Sequence, residues 1–282
     1  MSTPLPSLYD HAIADLPLPA GQPAFRRQQL ADWLYRQGVA GFDAMTNLPA
    51  AMREELASAY RLEPFAATAR FPSRDGSVRY LFTLPDGKQT EAVYMPYAGR
   101  RTVCVSSMVG CPAGCAFCAT GALGFGRNLT RGEIVAQLVA VARHEGIAPT
   151  DIRNVVLMGM GEPLLNYDQF IRAVAILNDE HGMHIGARRM TVSTTGVIPG
   201  IRQLAHDAPQ MNLAISLHAT HDALRRRLIA HCPSTIFDLM RALEAYHRAT
   251  GRDITFEYVL LAYVNDSQRD AQQLAALAHR VP

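Results

Sequence analysis

The stretch TVCVSSMVGCPAGCAFC, residues 102–118, begins as an apolar run rich in valine and ends in a loop that carries Cys111, Cys115 and Cys118. The spacing C-x3-C-x2-C supplies three thiols where a tetrahedral structural zinc takes four ligands. Zinc would therefore need a distant partner. The nearest downstream histidine, His144, falls at the end of a predicted helix. A four-iron cluster held by three thiolates behaves differently, because one iron stays open to a ligand that is not protein. In that case the missing fourth cysteine is the functional feature.

Working outward, short apolar runs alternate with helical patterns all the way downstream. TVCVSS, NVVLMGMG, RMTVSTTG, MNLAISLH and ITFEYVLL read as strands, and helices are predicted to begin near Thr130, Tyr167, Pro199, Asp222 and Ser267. Strands that are apolar on both faces and separated by helices imply a buried parallel sheet. The expected class is α/β, a partial parallel (βα) barrel over residues 99–282. Upstream the pattern differs. Residues 1–65 read as a small helical accessory domain. Phe25, Leu30, Trp33 and Leu34 fall at helical spacing, and Gly38 is a plausible stop. Pro49 suits the start of a second helix. Residues 66–98 read as a β-hairpin linker, with Val78, Tyr80, Phe82 and Leu84 alternating before the turn Pro85-Asp86-Gly87.

The 282 residues are 49% hydrophobic and 18% charged, which is ordinary globular composition. No apolar run is long enough for a membrane span, and the first residues do not form a signal peptide. A cytoplasmic location is expected, where clustered cysteines favour metals over disulfides. Net charge is only +2, but it is unevenly spread. No acid lies between Glu91 and Glu133, where Arg100, Arg101, Arg127 and Arg131 fall; Arg188, Arg189 and Arg202 occupy a second acid-free stretch, and Arg225, Arg226 and Arg227 form a third basic spot. Such clusters suit a polyanion such as RNA. Any one of them alone reads better as a solvated face, and it is the three together that point to a polyanion.

RTVCVSSMVGCPAGCAFCATGALGFGRNL, NVVLMGMGEPLLNYD, RMTVSTTGVIPG, LAISLHA and ITFEYVLL, with TEAVYMP and FRRQQLADWLYRQGV upstream, together resemble the RlmN/Cfr-type radical S-adenosylmethionine RNA adenosine methyltransferases. The likeness is greatest to the RlmN type, which methylates carbon 2 of an adenosine in 23S rRNA and often an adenosine beside the tRNA anticodon. The resemblance implies a [4Fe-4S] cluster on Cys111, Cys115 and Cys118, and S-adenosylmethionine bound by Gly161, Glu162, Ser193, Ser216 and His218. It implies Glu91 as the base at carbon 2 and Cys104 as the thiol that releases product. Implied partners are 23S rRNA, tRNA and a flavodoxin-like electron donor, with residues 1–65 contacting RNA, no membrane and a monomeric enzyme. Taken alone, Glu162 would cap a helix, His218 would be a core histidine, Glu91 a strand-edge charge and Cys104 a small apolar residue; Cys232 reads as structural.

The resemblance also sets an expectation for the chain's end. Family members continue after the helix that follows ITFEYVLL, with a sixth strand and a tail bearing a methyl-carrier cysteine. A chain ending at Pro282 is expected to bind the cluster without completing methylation by that route. The readings set against full activity are a truncated, incompetent fragment, a radical enzyme of altered reaction, and a non-enzymatic RNA-binding remnant.

Overall fold

The structure is a computed structural model, described for residues 5–97 and 99–281. The chain divides into two compact units: Met1–Ser106, Asn128–Val155 and Asp168–Gly186 form the first, and Ser107–Arg127, Val156–Tyr167 and Ala187–Pro282 the second.

The first unit opens with helices. α1 (Arg26–Ala31) continues into a π-helical turn, Asp32–Gln37, which ends at Gly38 in the left-handed conformation. Leu30 and Leu34 are fully buried, whereas Phe25 is exposed. α2 (Ala50–Ala59) follows, with Pro49 at its N-cap. The hairpin read from the sequence is part of a larger antiparallel sheet, in the order β1 (Ala67–Pro72), β2 (Val78–Thr83), β3 (Gln89–Tyr97) and β4 (Arg100–Cys104). β1 was not foreseen, because five of its six residues are exposed and it shows no alternation of burial. One face of the sheet carries Val78, Tyr80, Phe82, Ala92, Tyr94 and Val103, all buried. Phe65 stacks on Phe82 beneath it at 4.2 Å between ring centroids. The strand beginning at Thr102 is β4, and it runs antiparallel to β3.

The second unit holds the cysteine loop, bracketed by two short paired strands that the sequence did not reveal, β5 (Met108–Gly110) and β6 (Phe125–Asn128), with a single turn, α3 (Ala119–Ala122), between them. Back in the first unit, α4 (Arg131–His144) starts with a capping box between Thr130 and Glu133. Arg131 Nε donates to Asp10 O at 2.6 Å, which fastens this helix to the N-terminal segment. β7 (Asn154–Leu157) leads to α5 (Tyr167–Asn178).

The rest of the second unit repeats strand and helix: β8 (Met190–Thr194), α6 (Ile198–Asp207), β9 (Asn212–Ser216), α7 (Asp222–Leu228), α8 (Ile236–Thr250), β10 (Ile254–Glu257) and α9 (Gln268–Ala278). β8, β9 and β10 pair in parallel. This is the α/β class with a parallel sheet that the rhythm implied. The single helix expected from Asp222 is instead two, separated by the turn at Cys232-Pro233-Ser234. Pro233 lacks an amide hydrogen and disfavours helix at the residue before it, and Thr235 then caps α8.

Candidate active site

One cavity of ≈ 230 Å³ opens within the second unit, at the C-terminal ends of its parallel strands. Cys111, Cys115, Cys118, Gly161, Glu162, Ser193, Ser216 and His218 all line it. In an α/β sheet each strand ends at this rim, and the loops leaving it supply the ligand-binding groups. Cys111 and His218, far apart in sequence, therefore share one space.

The cysteine loop is shaped by its neighbours. Cys111 N donates to Gly124 O at 2.9 Å, Ala116 N to Leu228 O at 2.8 Å, and His231 N to Ala113 O at 3.1 Å. Gly110 adopts φ 70, and a Cβ there would meet Gly124 O at 1.9 Å, so only glycine permits the entry to the loop. All three thiols are part-exposed. Burial is the main cause that pushes the Cys115 thiol up to about 12, aided by the charges of Cys111 and Cys118; Cys111 is raised as well, again chiefly by burial. Metal binding to these groups must therefore displace protons. Among the described residues, no three His, Cys, Asp or Glu side chains are already arranged to hold a metal ion. The loop's donor set is nevertheless three thiols with no carboxylate or imidazole, which is the chemistry of an iron–sulfur cluster.

Glu162 forms the next wall. It is 2% exposed, and its Oε2 accepts from Thr195 N at 2.6 Å and Thr195 Oγ1 at 2.9 Å. Its Oε1 accepts from Leu164 N at 3.2 Å, so the capping reading is also met. Burial raises its pKa above the usual carboxylate range, with the Thr195 and Leu164 donors acting in the opposite sense. The preceding Gly161 has φ 110, and a Cβ there would fall 2.7 Å from both Met108 Cβ and Ser107 Oγ. Gly161→Ala is expected to lower stability by about 1–3 kcal/mol through backbone strain and overpacking. A thermal melt checks this; an unchanged midpoint would show that the loop relaxes freely.

Ser193, next to last in β8, and Ser216, last in β9, have their Oγ atoms 3.2 Å apart, and Ser193 Oγ donates to Glu257 Oε2 at 3.4 Å. Glu257 ends β10 and lines the cavity too. The sequence reading passed over it, although a carboxylate closing the apolar run ITFE was a usable signal. His218 sits at φ 56, and its Nδ1 accepts from Val259 N at 3.1 Å, which leaves Nε2 as the protonated nitrogen of the neutral ring. Burial, with the Arg225 charge, lowers its pKa to about 4. Phe117 meets the His218 ring edge-on at 4.6 Å and also lines the cavity.

Behind these walls lies Arg225, and here the basic-spot reading is corrected. Arg226 and Arg227 are exposed, but Arg225 is fully buried. α7 turns it inward, where its five donors find five acceptors. Its Nε donates to Leu217 O at 3.2 Å, NH1 to Cys232 Sγ at 2.7 Å and Ser234 O at 3.2 Å, and NH2 to Thr195 O at 2.5 Å and Ser216 O at 3.3 Å. One guanidinium thus ties the ends of β8 and β9 to the turn between α7 and α8. Cys232, read as structural, is held in this network.

Glu91 and Cys104 belong to the first unit. Glu91 lies on β3, and its Oε1 takes an ion pair from Arg79 NH1. Cys104, on β4, stands across from Val93. Side chains two apart on a strand share a face, so Glu91, Val93 and Cys104 all point to the side opposite the buried core.

A parallel α/β sheet with three loop thiols and a Gly-Glu pair at one rim has the form of a radical S-adenosylmethionine enzyme. Residues 105–275 match the model of the radical SAM superfamily, and residues 7–62 match that of the ribosomal RNA large subunit methyltransferase N-terminal domain. The chain is 54% identical over 255 residues to the probable dual-specificity RNA methyltransferase RlmN of Thermus thermophilus, covering 90% of this chain and 72% of that protein. It is 44% identical to the protein of the same name from Symbiobacterium thermophilum, covering 98% and 76%. A radical SAM methyltransferase from Sphaerobacter thermophilus superposes with a TM-score of 0.89 at 45% identity, covering 97% of this chain and 82% of that one. The chain belongs to the RlmN family of radical SAM methyltransferases.

Proposed function

We propose that this protein methylates carbon 2 of an adenosine in 23S rRNA, and an adenosine beside the tRNA anticodon, in the cytoplasm and as a monomer fed by a flavodoxin-like electron donor. Cys111, Cys115 and Cys118 would hold a [4Fe-4S] cluster, and Gly161, Glu162, Ser193, Ser216 and His218 would hold S-adenosylmethionine. The carrying observation is that all eight line one cavity. No helix among the described residues is long and apolar enough to cross a membrane.

When bound, the cluster and two S-adenosylmethionine molecules supply reductive radical chemistry and the methyl group. The chain's own residues do the rest. Glu162, held by Thr195 and Leu164, would meet the amino group of S-adenosylmethionine, and the backbone at Gly161 would let the ligand approach closely. Ser193 and Ser216 offer hydroxyls to a polar ligand, and the neutral His218 ring donates from Nε2. Glu91, paired with Arg79, would take the proton from carbon 2. Cys104 would release the product by forming a disulfide with the methyl-carrier cysteine of the family's C-terminal segment as that sulfur's bond to the methylene carbon breaks, its electron pair passing to the adenine base. Support for these two roles is their common sheet face.

The test is an anaerobic assay with reductant, S-adenosylmethionine and unmodified 23S rRNA. It is run on the 282-residue chain and on a version extended by the family's C-terminal segment. 2-Methyladenosine from the extended version supports the proposal. Deoxyadenosine without methylated adenosine from either version overturns it in favour of another radical reaction.

A further inference from the structure

The face of β1–β4 that carries Glu91 and Cys104 has unusual chemistry for a solvated surface. Pairing sets Phe71 across from Arg79, Arg79 across from Val93, and Val93 across from Cys104, so one row crosses all four strands. Tyr97 and Arg100 pair on the same face at its far end. An antiparallel sheet packed on one side normally turns polar residues to water. Here Phe71 is 43% exposed and Tyr97 80% exposed. The Arg79 guanidinium lies 4.4 Å over the Phe71 ring, which holds both side chains in an open, ordered pose. Glu91 is the only acid that these strands place on this face.

We propose that this face is the docking platform for a single-stranded stretch of the substrate RNA, with Phe71 and Tyr97 stacking against unpaired bases and Arg79 and Arg100 meeting phosphates. The proposal rests on the RNA methyltransferase reading and specifies where its substrate lies. Exposed aromatic rings on a sheet bind bases that are free to unstack, and flanking arginines meet the backbone. A duplex keeps its bases stacked internally and has no use for such rings. A second copy of this chain would bring like-charged arginines against one another. Glu91 and Cys104 share the surface, so a strand lying on it runs directly past both.

The experiment uses the cluster-loaded protein and fluorescence anisotropy. The probes are a labelled single-stranded RNA of about ten nucleotides, within the usual single-strand site size, and a duplex of equal length. Phe71→Ala and Tyr97→Ala are each expected to weaken single-strand binding by about 5- to 100-fold. Arg100→Ala should weaken it and lower the salt slope by about 0.7, while Arg248→Ala on α8 leaves it unchanged. All four positions are exposed, so melting midpoints within about 2 °C of the parent show that folding is intact. Binding unchanged in both aromatic variants overturns the proposal, as does a duplex bound more tightly than the single strand. So does self-association that these variants abolish, which would mark the face as an interface between copies. Methylation by the version extended with the family's C-terminal segment is measured in parallel. Aromatic-dependent binding without methylation would leave the platform standing and remove the enzymatic reading, and the reverse pattern would do the opposite.

Discussion

Alanine at any one of Cys111, Cys115 or Cys118 is expected to abolish the iron–sulfur absorbance of the reconstituted protein completely. Three thiolates are the minimum that holds a four-iron cluster with one open iron, so losing one removes the site rather than weakening it. Rescue would need a spare thiol. Cys232 packs against the same small apolar cluster as Cys111 and Cys115, but its sulfur is taken up by Arg225 NH1 and Ser234 O. Cys104 lies on β4 of the other unit. Cys232→Ala is accordingly expected to keep the absorbance. The loop thiols are part-exposed, so their removal should leave the melting midpoint of the metal-free protein nearly unmoved. Iron and sulfide analysis beside the spectra decides the matter. Full cluster content in one of the three single variants would sink the ligand assignment.

The second large effect is on stability. Arg225→Met is expected to destabilise the protein by about 3–5 kcal/mol, because several buried acceptors lose one shared charged donor. Methionine fills most of the volume but takes the guanidinium donors from the carbonyls of Thr195, Ser216, Leu217 and Ser234 and from the Cys232 sulfur, although Leu217 O keeps Ala219 N and Ser234 O keeps the Cys232 thiol. A buried acceptor left without its donor costs about 1–3 kcal/mol. Arg225→Lys should recover only part of the loss, because an ammonium has three donors where the guanidinium has five. The midpoint of thermal unfolding should fall by roughly 6–20 °C for Arg225→Met. Thr195 is gripped by Arg225 through its carbonyl and by Glu162 through its amide, so the Lys variant should also bind S-adenosylmethionine less tightly even where it folds. A Met variant that melts with the parent would show that the carbonyls find other donors.

Much of this protein was legible in its residues alone. The cysteine loop needs no tertiary information, since C-x3-C-x2-C confines three thiols to one turn of chain. Capping boxes at Thr130 and Ser267 mark two helix starts by local hydrogen bonding. Glu162, Ser193, Ser216 and His218 were singled out only by the family resemblance, and the parallel sheet gathers them at one rim. The cysteine loop and the helix caps depend on neighbours a few residues apart, and short-range rules carry them.

What the fold alone decided depends on distant contacts. β1 is an exposed edge whose pairing to β2 leaves no hydrophobic period to read. β5 and β6 are too short for any pattern, and only the close approach of Gly110 to Gly124 joins the ends of the loop. Within Arg225-Arg226-Arg227 three identical side chains meet opposite fates. One faces a core lined by carbonyls and two face water, because the packing of α7 sets which side of the helix is buried. Glu257 reaches the cavity only because β10 pairs in register with β9, Glu257 across from Ser216. Composition and spacing determined the chemistry available to this chain, whereas the pairing of strands and the rotation of one short helix determined which groups face the cavity.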